Sequence, residues 1–169
     1  MNKYDLAEDI GRRKFSRRFG KFYNIAFSTD PHSRYDFMAT AYTVAQTIYV
    51  GEIKNINRPY GKYNSAVDNG FLIDFDKLKE LKKIALNEGR KAILVVFYSD
   101  RTVVWEISDG FDAEVYGGWQ ARAKWKATNK KGVDYGGEKD WEYVTYLFLS
   151  EAVYNNDEDD DTATWQNIP

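Results

Sequence analysis

The stretch KAILVVFYS, residues 91–99, constrains the fold more than any other segment. It is apolar at nearly every position, so as a strand it buries both faces, unlike the one-sided alternation of a surface strand. The segment before it, DFDKLKELKKIALNEG (74–89), reads as a helix. Phe75, Leu78, Leu81 and Ala85 form its apolar stripe, Asp74 or Asp76 can cap it, lysines fill its later turns and Gly89 stops it. An amphipathic helix running into a doubly buried strand implies a mixed sheet with a helix on each face.

Upstream, DLAEDIGRRKFSRRF (5–19) has Leu6, Ile10 and Phe15 near helical spacing, with Gly20 as a stop. Three strand-like runs follow: 22–29, 34–42 and 46–55. The turn chemistry of DPHS (30–33) separates the first two, and the three are close enough for an antiparallel meander. In the second run, Tyr35, Phe37 and Ala39 alternate with Arg34, Asp36 and Met38. Residues 56–70 are rich in turn formers and carry Arg58, Tyr60, Lys62 and Tyr63; long irregular segments of this kind are often functional. RTVVWEIS (101–108) can pair with the buried strand through a turn at Asp100–Arg101. WQARAKWKAT (119–128) and WEYVTYLFLS (141–150) read as a C-terminal hairpin. The expectation is one α/β (α+β) domain over 1–154, ordered αβββαβ and followed by the hairpin, with a disordered acidic tail over 155–169.

The 169 residues include no cysteine, which excludes disulfides and thiolate metal sites. No apolar run approaches the roughly 18 residues of a membrane span, and the N-terminus is too polar for a secretory signal; a cytoplasmic protein without a membrane partner is expected. The net charge of −2 conceals an asymmetry: residues 1–21 hold seven bases against three acids, and removing the five acids of the tail takes the remainder to +3. A basic body suits a phosphate-bearing partner. The lone histidine, His32, excludes a multi-histidine metal site and is expected to be structural or exposed.

YVGEIKN (49–55) places Glu52 and Lys54 two apart on the third strand, hence on one face. Asp36 lies on the neighbouring strand. In register, two carboxylates and an ammonium converge, and like charges so close need a cation between them. Hard oxygen ligands suit Mg²⁺ or Mn²⁺. A surface ion pair is the plain alternative. The chain holds a second Glu-x-Lys, Glu80-Leu81-Lys82, inside the predicted helix, where residues two apart do not share a face.

Asp36 followed by Glu52-Ile53-Lys54, within this order of helices and strands over about residues 5–108, resembles the PD-(D/E)XK phosphodiesterase superfamily, including its small phage nucleases and Holliday junction resolvase-like members. The resemblance implies a restriction-endonuclease-like core in which Asp36, Glu52 and the backbone carbonyl of Ile53 ligate metal and Lys54 is the signature lysine. Glu8 stands where some members place an extra acidic ligand, and Lys77 where several place a polar residue, although a solvated helix face suits Lys77 somewhat better. The proline that precedes the aspartate in the signature is Tyr35 here. The implied activity is Mg²⁺-dependent hydrolysis of nucleic acid, with DNA, linear or branched, as substrate. Arg12, Arg13, Lys14, Arg17 and Arg18 on the first helix, with Arg58, Lys62, Tyr63 and Lys77, are the expected backbone contacts. Tyr116, Trp119 and Trp125 fit an aromatic core, base stacking or a homodimer contact. The rivals are an inactive nucleic-acid-binding or virion-associated protein of the same fold, and an interaction module whose acidic tail mimics DNA.

Overall fold

A computed structural model describes residues 3–30, 32–42, 48–63, 70–107, 119, 122–129 and 139–157. Helix α1 (Lys3–Phe19) leads into a meander of β1 (Tyr23–Phe27), β2 (Phe37–Ala41) and β3 (Ile48–Asn55). A single turn, α2 (Tyr60–Tyr63), precedes β4 (Gly70–Asp74) and α3 (Phe75–Asn87). Then come β5 (Lys91–Phe97), β6 (Arg101–Glu106), β7 (Lys124–Asn129), β8 (Lys139–Phe148) and β9 (Tyr154–Asp157). The main sheet runs β1-β2-β3-β5-β6-β9, with β3 and β5 parallel and the other neighbours antiparallel. This is the expected restriction-endonuclease-like αβββαβ core with a mixed central sheet.

The doubly buried reading of residues 91–99 holds. Ile93, Val95 and Phe97 pack under α1, while Ala92, Leu94 and Val96 pack on the α3 side. Each of these side chains larger than Ala92 contributes roughly 1.5–3 kcal/mol by leaving water. Helix α3 starts where its cap chemistry said: the Asp74 carboxylate accepts from the Asp76 and Lys77 amides. Leu78, Leu81 and Ala85 are its buried stripe.

Helix α1 is rotated from its expected seating. Leu6 and Ile10 are 50% and 38% exposed, and the contact line is Gly11, Phe15 and Phe19. Spaced by four, these three lie along one ridge. The reason is close approach: a Cβ on Gly11 would sit 2.9 Å from Ile53 Cγ2. Gly51 plays the matching role on β3, where a Cβ would sit 2.4 Å from the Phe37 ring. Phe37 in turn packs on Phe15, ring centres 4.2 Å apart.

Further corrections concern strands. Tyr35 packs on the α3 side, away from Phe37 and Ala39, because β2 begins only at Phe37. β4 lies in the segment FLID that the sequence left unassigned, and it pairs with β8. The expected hairpin β7–β8 is therefore part of a three-stranded sheet, β4-β8-β7, joined to the main sheet by the Trp105 indole donating to the Phe148 carbonyl at 2.8 Å. The acidic tail was expected from residue 155, but 155–157 form β9 against β6; 158–169 lie outside the described residues. Among the described residues no helix is long and apolar enough to cross a membrane.

Candidate active site

The β2–β3 ladder stops at the first residue of β2, and the site lies in the gap just before it. The last β2–β3 pair is Phe37 with Gly51. Asp36, one residue earlier, is still clamped: its N–H donates to the Gly51 carbonyl and its C=O accepts from Ser28, both at 2.8 Å. Its carboxylate turns toward β3 and accepts the Ile53 N–H at 2.7 Å. On an extended strand the N–H and C=O of one residue face the same edge. The Ile53 carbonyl therefore also faces the gap.

Glu52 reaches the same gap and is only 3% exposed. Alternation along β3 puts it on the α3 side with Val50 and Lys54, as the spacing implied. Lys54 Nζ lies 2.6 Å from Glu52 Oε1, and Lys77, from the first turns of α3, pairs with the same oxygen. Of the two readings open for Lys77, reach into the site is the one seen. A buried carboxylate is tolerated only when paired, and two ammonium groups do this for Glu52.

Asp36 is served differently. Both lysines converge on Glu52, and among the described residues Asp36 accepts the Ile53 amide. Burial and the neighbouring Glu52 charge push its pKa up to about 6, partly offset by the Ile53 amide, Lys54 and Lys77. Burial pulls the Lys54 pKa down, but Glu52 and Asp36 outweigh it and the net shift is upward. The two carboxylates thus favour the ammonium form of Lys54.

A cavity of about 780 Å³ surrounds these groups. Helix α1 contributes Asp5, Glu8 and Arg12, the β1–β2 connection contributes Ser28, Ser33 and Tyr35, and Asn55 lines the floor. Arg12 Nε and Asn55 Oδ1 are buried with no hydrogen-bond partner among the described residues. Neither was singled out individually from the sequence. Asn55 gave no signal at all, and Arg12 was one of five bases in a cluster.

That cluster is dispersed. Arg12 lines the cavity and pairs with Glu8 at 2.6 Å. Arg13 is 79% exposed and pairs with Asp9. Lys14 lies over the Phe97 ring, and Arg18 donates to the Tyr154 hydroxyl and the Asp157 carbonyl, fastening β9. Arg17 and Arg58 are exposed, and neither lines the cavity. The side chains of Lys62 and Tyr63 lie outside the described residues, as does Tyr116. His32 is exposed. Trp119 is buried, the core role, whereas Trp125 is 65% exposed.

The donor set fits a hard divalent cation: two carboxylates that repel each other, plus a carbonyl on the same edge. Glu8 lines the cavity without joining them, and among the described residues no cluster of three side-chain ligands forms.

The described residues form a restriction-endonuclease-like α+β fold, with the carboxylate pair at the β2–β3 junction of its central sheet. Among solved structures, the chain is similar to Hjc of Archaeoglobus fulgidus, a Holliday junction resolvase from an archaeal hyperthermophile. The identity is 10%, the match covers 90% of this chain and 99% of that one, and the TM-score is 0.47. No protein-family model matches the chain, and no curated protein matches it.

Proposed function

We propose that this protein is a divalent-metal-dependent nuclease that hydrolyses phosphodiester bonds, with DNA as substrate. The observation that carries the reading is the convergence of Asp36 and Glu52 from adjacent strands, with Lys54 fixed beside Glu52. Asp36, Glu52 and the Ile53 carbonyl would hold Mg²⁺ or Mn²⁺. Such an ion supplies Lewis-acid stabilisation of phosphoryl charge and acidifies a bound water. Lys54, cationic at neutral pH, stabilises negative charge developing on the phosphate and orients the attacking water by donating hydrogen bonds. Lys77 adds a second positive charge from the opposite wall. Arg12, which lines the cavity, grips a phosphate next to the one cleaved.

The test is turnover on labelled single-stranded, duplex and four-way-junction DNA with Mg²⁺, and with EDTA. Cleavage should require the metal, and Glu52→Gln should lose it while melting normally. Metal-independent cleavage, or full activity in Glu52→Gln, would remove the assignment.

One observation favours a second reading, a fold kept for binding without turnover. Lys54 and Lys77 already compensate the Glu52 charge. That reading calls for salt-sensitive DNA binding in EDTA and no nicking under any metal.

A further inference from the structure

Lys77 reaches Glu52 from a different element than Lys54 does, and the two lysines end on the same oxygen. Lys54 stands two residues from Glu52 on β3, in register with Val96 of β5, so the ladder fixes the spacing of this pair. Lys77 comes from the first turns of α3, where its amide donates to the Asp74 carboxylate at 3.3 Å. That bond pins its backbone. Its side chain is 39% exposed, yet its ammonium pairs with a carboxylate that is 3% exposed. Lys77 belongs to neither core cluster, so rotation of its own flexible four-carbon stem is enough to withdraw it from Glu52.

Charge at the inner end of the cavity is balanced. Asp36 and Glu52 carry two negative charges, and Lys54 and Lys77 carry two positive ones. The further acids of the lining, Asp5, Glu8 and Asp30, are exposed, and Glu8 pairs with Arg12. Two ammonium groups on one oxygen repel each other, and the buried carboxylate holds them together. A divalent cation between Asp36 and Glu52 adds two positive charges beside them and seeks the same carboxylate. The added charge favours release of one lysine. Lys54 is tied to Glu52 by the strand they share, whereas Lys77 has a stem that leads to solvent. A phosphodiester entering the cavity carries the negative charge that a displaced ammonium requires.

We propose that Lys77 is an exchangeable counter-ion of Glu52: it competes with the divalent cation for this carboxylate and passes to the substrate's phosphate once the cation binds. The protein alone then holds metal weakly, and a phosphate ester tightens the hold. By reciprocity the metal tightens the phosphate as well. Lys77 acts on the metal through Glu52 and is in that respect a positioning residue. The proposal deepens the nuclease reading and rests on it.

The experiment reads metal affinity and not turnover. Mn²⁺ is titrated into the full chain, and the free ion is followed by its electron paramagnetic resonance signal. Lys77→Met should bind Mn²⁺ about tenfold tighter than the unaltered protein, a typical size for a direct coupling. Lys54 still pairs with Glu52 in that variant, so it should melt like the unaltered protein. Lys77→Arg keeps the charge and should stay near the unaltered affinity. Lys79→Met removes the same charge from an exposed position about 200° around α3, and should shift the affinity no more than about twofold. Thymidine 5′-monophosphate, a phosphate ester with no phosphodiester to cleave, should tighten Mn²⁺ binding to the unaltered protein more than to Lys77→Met. Unchanged or weaker Mn²⁺ binding by Lys77→Met would overturn the proposal, since Lys77 would then only orient Glu52. Equal tightening by Lys79→Met would overturn it too, because net charge alone would account for the effect. So would an equal gain from the nucleotide in both proteins. If neither the unaltered protein nor any variant binds Mn²⁺, the nuclease reading itself falls.

Discussion

Glu-x-Lys occurs at the end of β3 and in the middle of α3, and the two copies behave differently. On β3, Glu52 and Lys54 share a face and pair at 2.6 Å in the cavity wall. On α3, two residues span about 200° around the axis. Glu80 and Lys82 therefore diverge around the buried Leu81, and Lys82 lies 6.0 Å from the centre of the Trp119 ring. The same residue types at the same spacing make a site in one region and a helix surface in the other. The backbone period decides which.

The sharpest way to break this comparison is to remove the two lysines in turn. Lys54→Ala should lower cleavage by about 10²-fold or more, the usual scale for losing one preorganised donor. Its melting temperature should hold, because Lys77 still pairs with Glu52. Lys82→Ala should leave cleavage unchanged. Comparable losses in both variants would mean that strand context carries no information about the site.

A smaller effect is expected from Asp36. Its folded-state value of about 6 exceeds the ordinary 3.8, so between those values the folded chain holds a proton that the unfolded chain has released. The stability this group contributes is full below about pH 4 and is lost as pH rises through about 6. Asp36→Asn should therefore stabilise the metal-free protein at pH 7.5 by about 1–2 kcal/mol, with the advantage vanishing near pH 4. Mg²⁺ should reverse the ranking, since only the unaltered pair gains from binding it. Denaturant titrations at the two pH values, with and without Mg²⁺, check this. A pH-independent difference would show that Asp36 is not electrostatically strained.

The smallest effect belongs to Glu80. Glu80→Gln should change stability by no more than about 0.5 kcal/mol and leave turnover unaltered. A larger loss of activity would assign the helical copy a role that the geometry does not give it.

The sequence by itself determined what short-range periodicity can encode. The buried strand 91–97, the amphipathic α3 with its Asp74 cap, and the shared face of Glu52 and Lys54 all follow from patterns within one element. Such patterns depend only on the turn per residue. The αβββαβ order followed from their succession. Where contact between distant elements decides, the same reading went astray. It seated α1 on Leu6, Ile10 and Phe15, of which Phe15 alone is buried, because hydrophobicity alone could not show that Gly11 lets Ile53 come close and sets the contact along Gly11, Phe15 and Phe19. It left β4 unassigned and began the tail at residue 155, because both segments are strands only by virtue of a partner: β8 for one, β6 for the other. It treated the α1 bases as one cluster, although a helix distributes neighbours around its axis, and tertiary packing then gave Arg12 to the cavity, Lys14 to Phe97 and Arg18 to β9. The two lysines on one oxygen of Glu52, and the Ile53 amide on Asp36, come from three segments apart in the chain. Their balance of charge exists only once the tertiary structure brings those elements together.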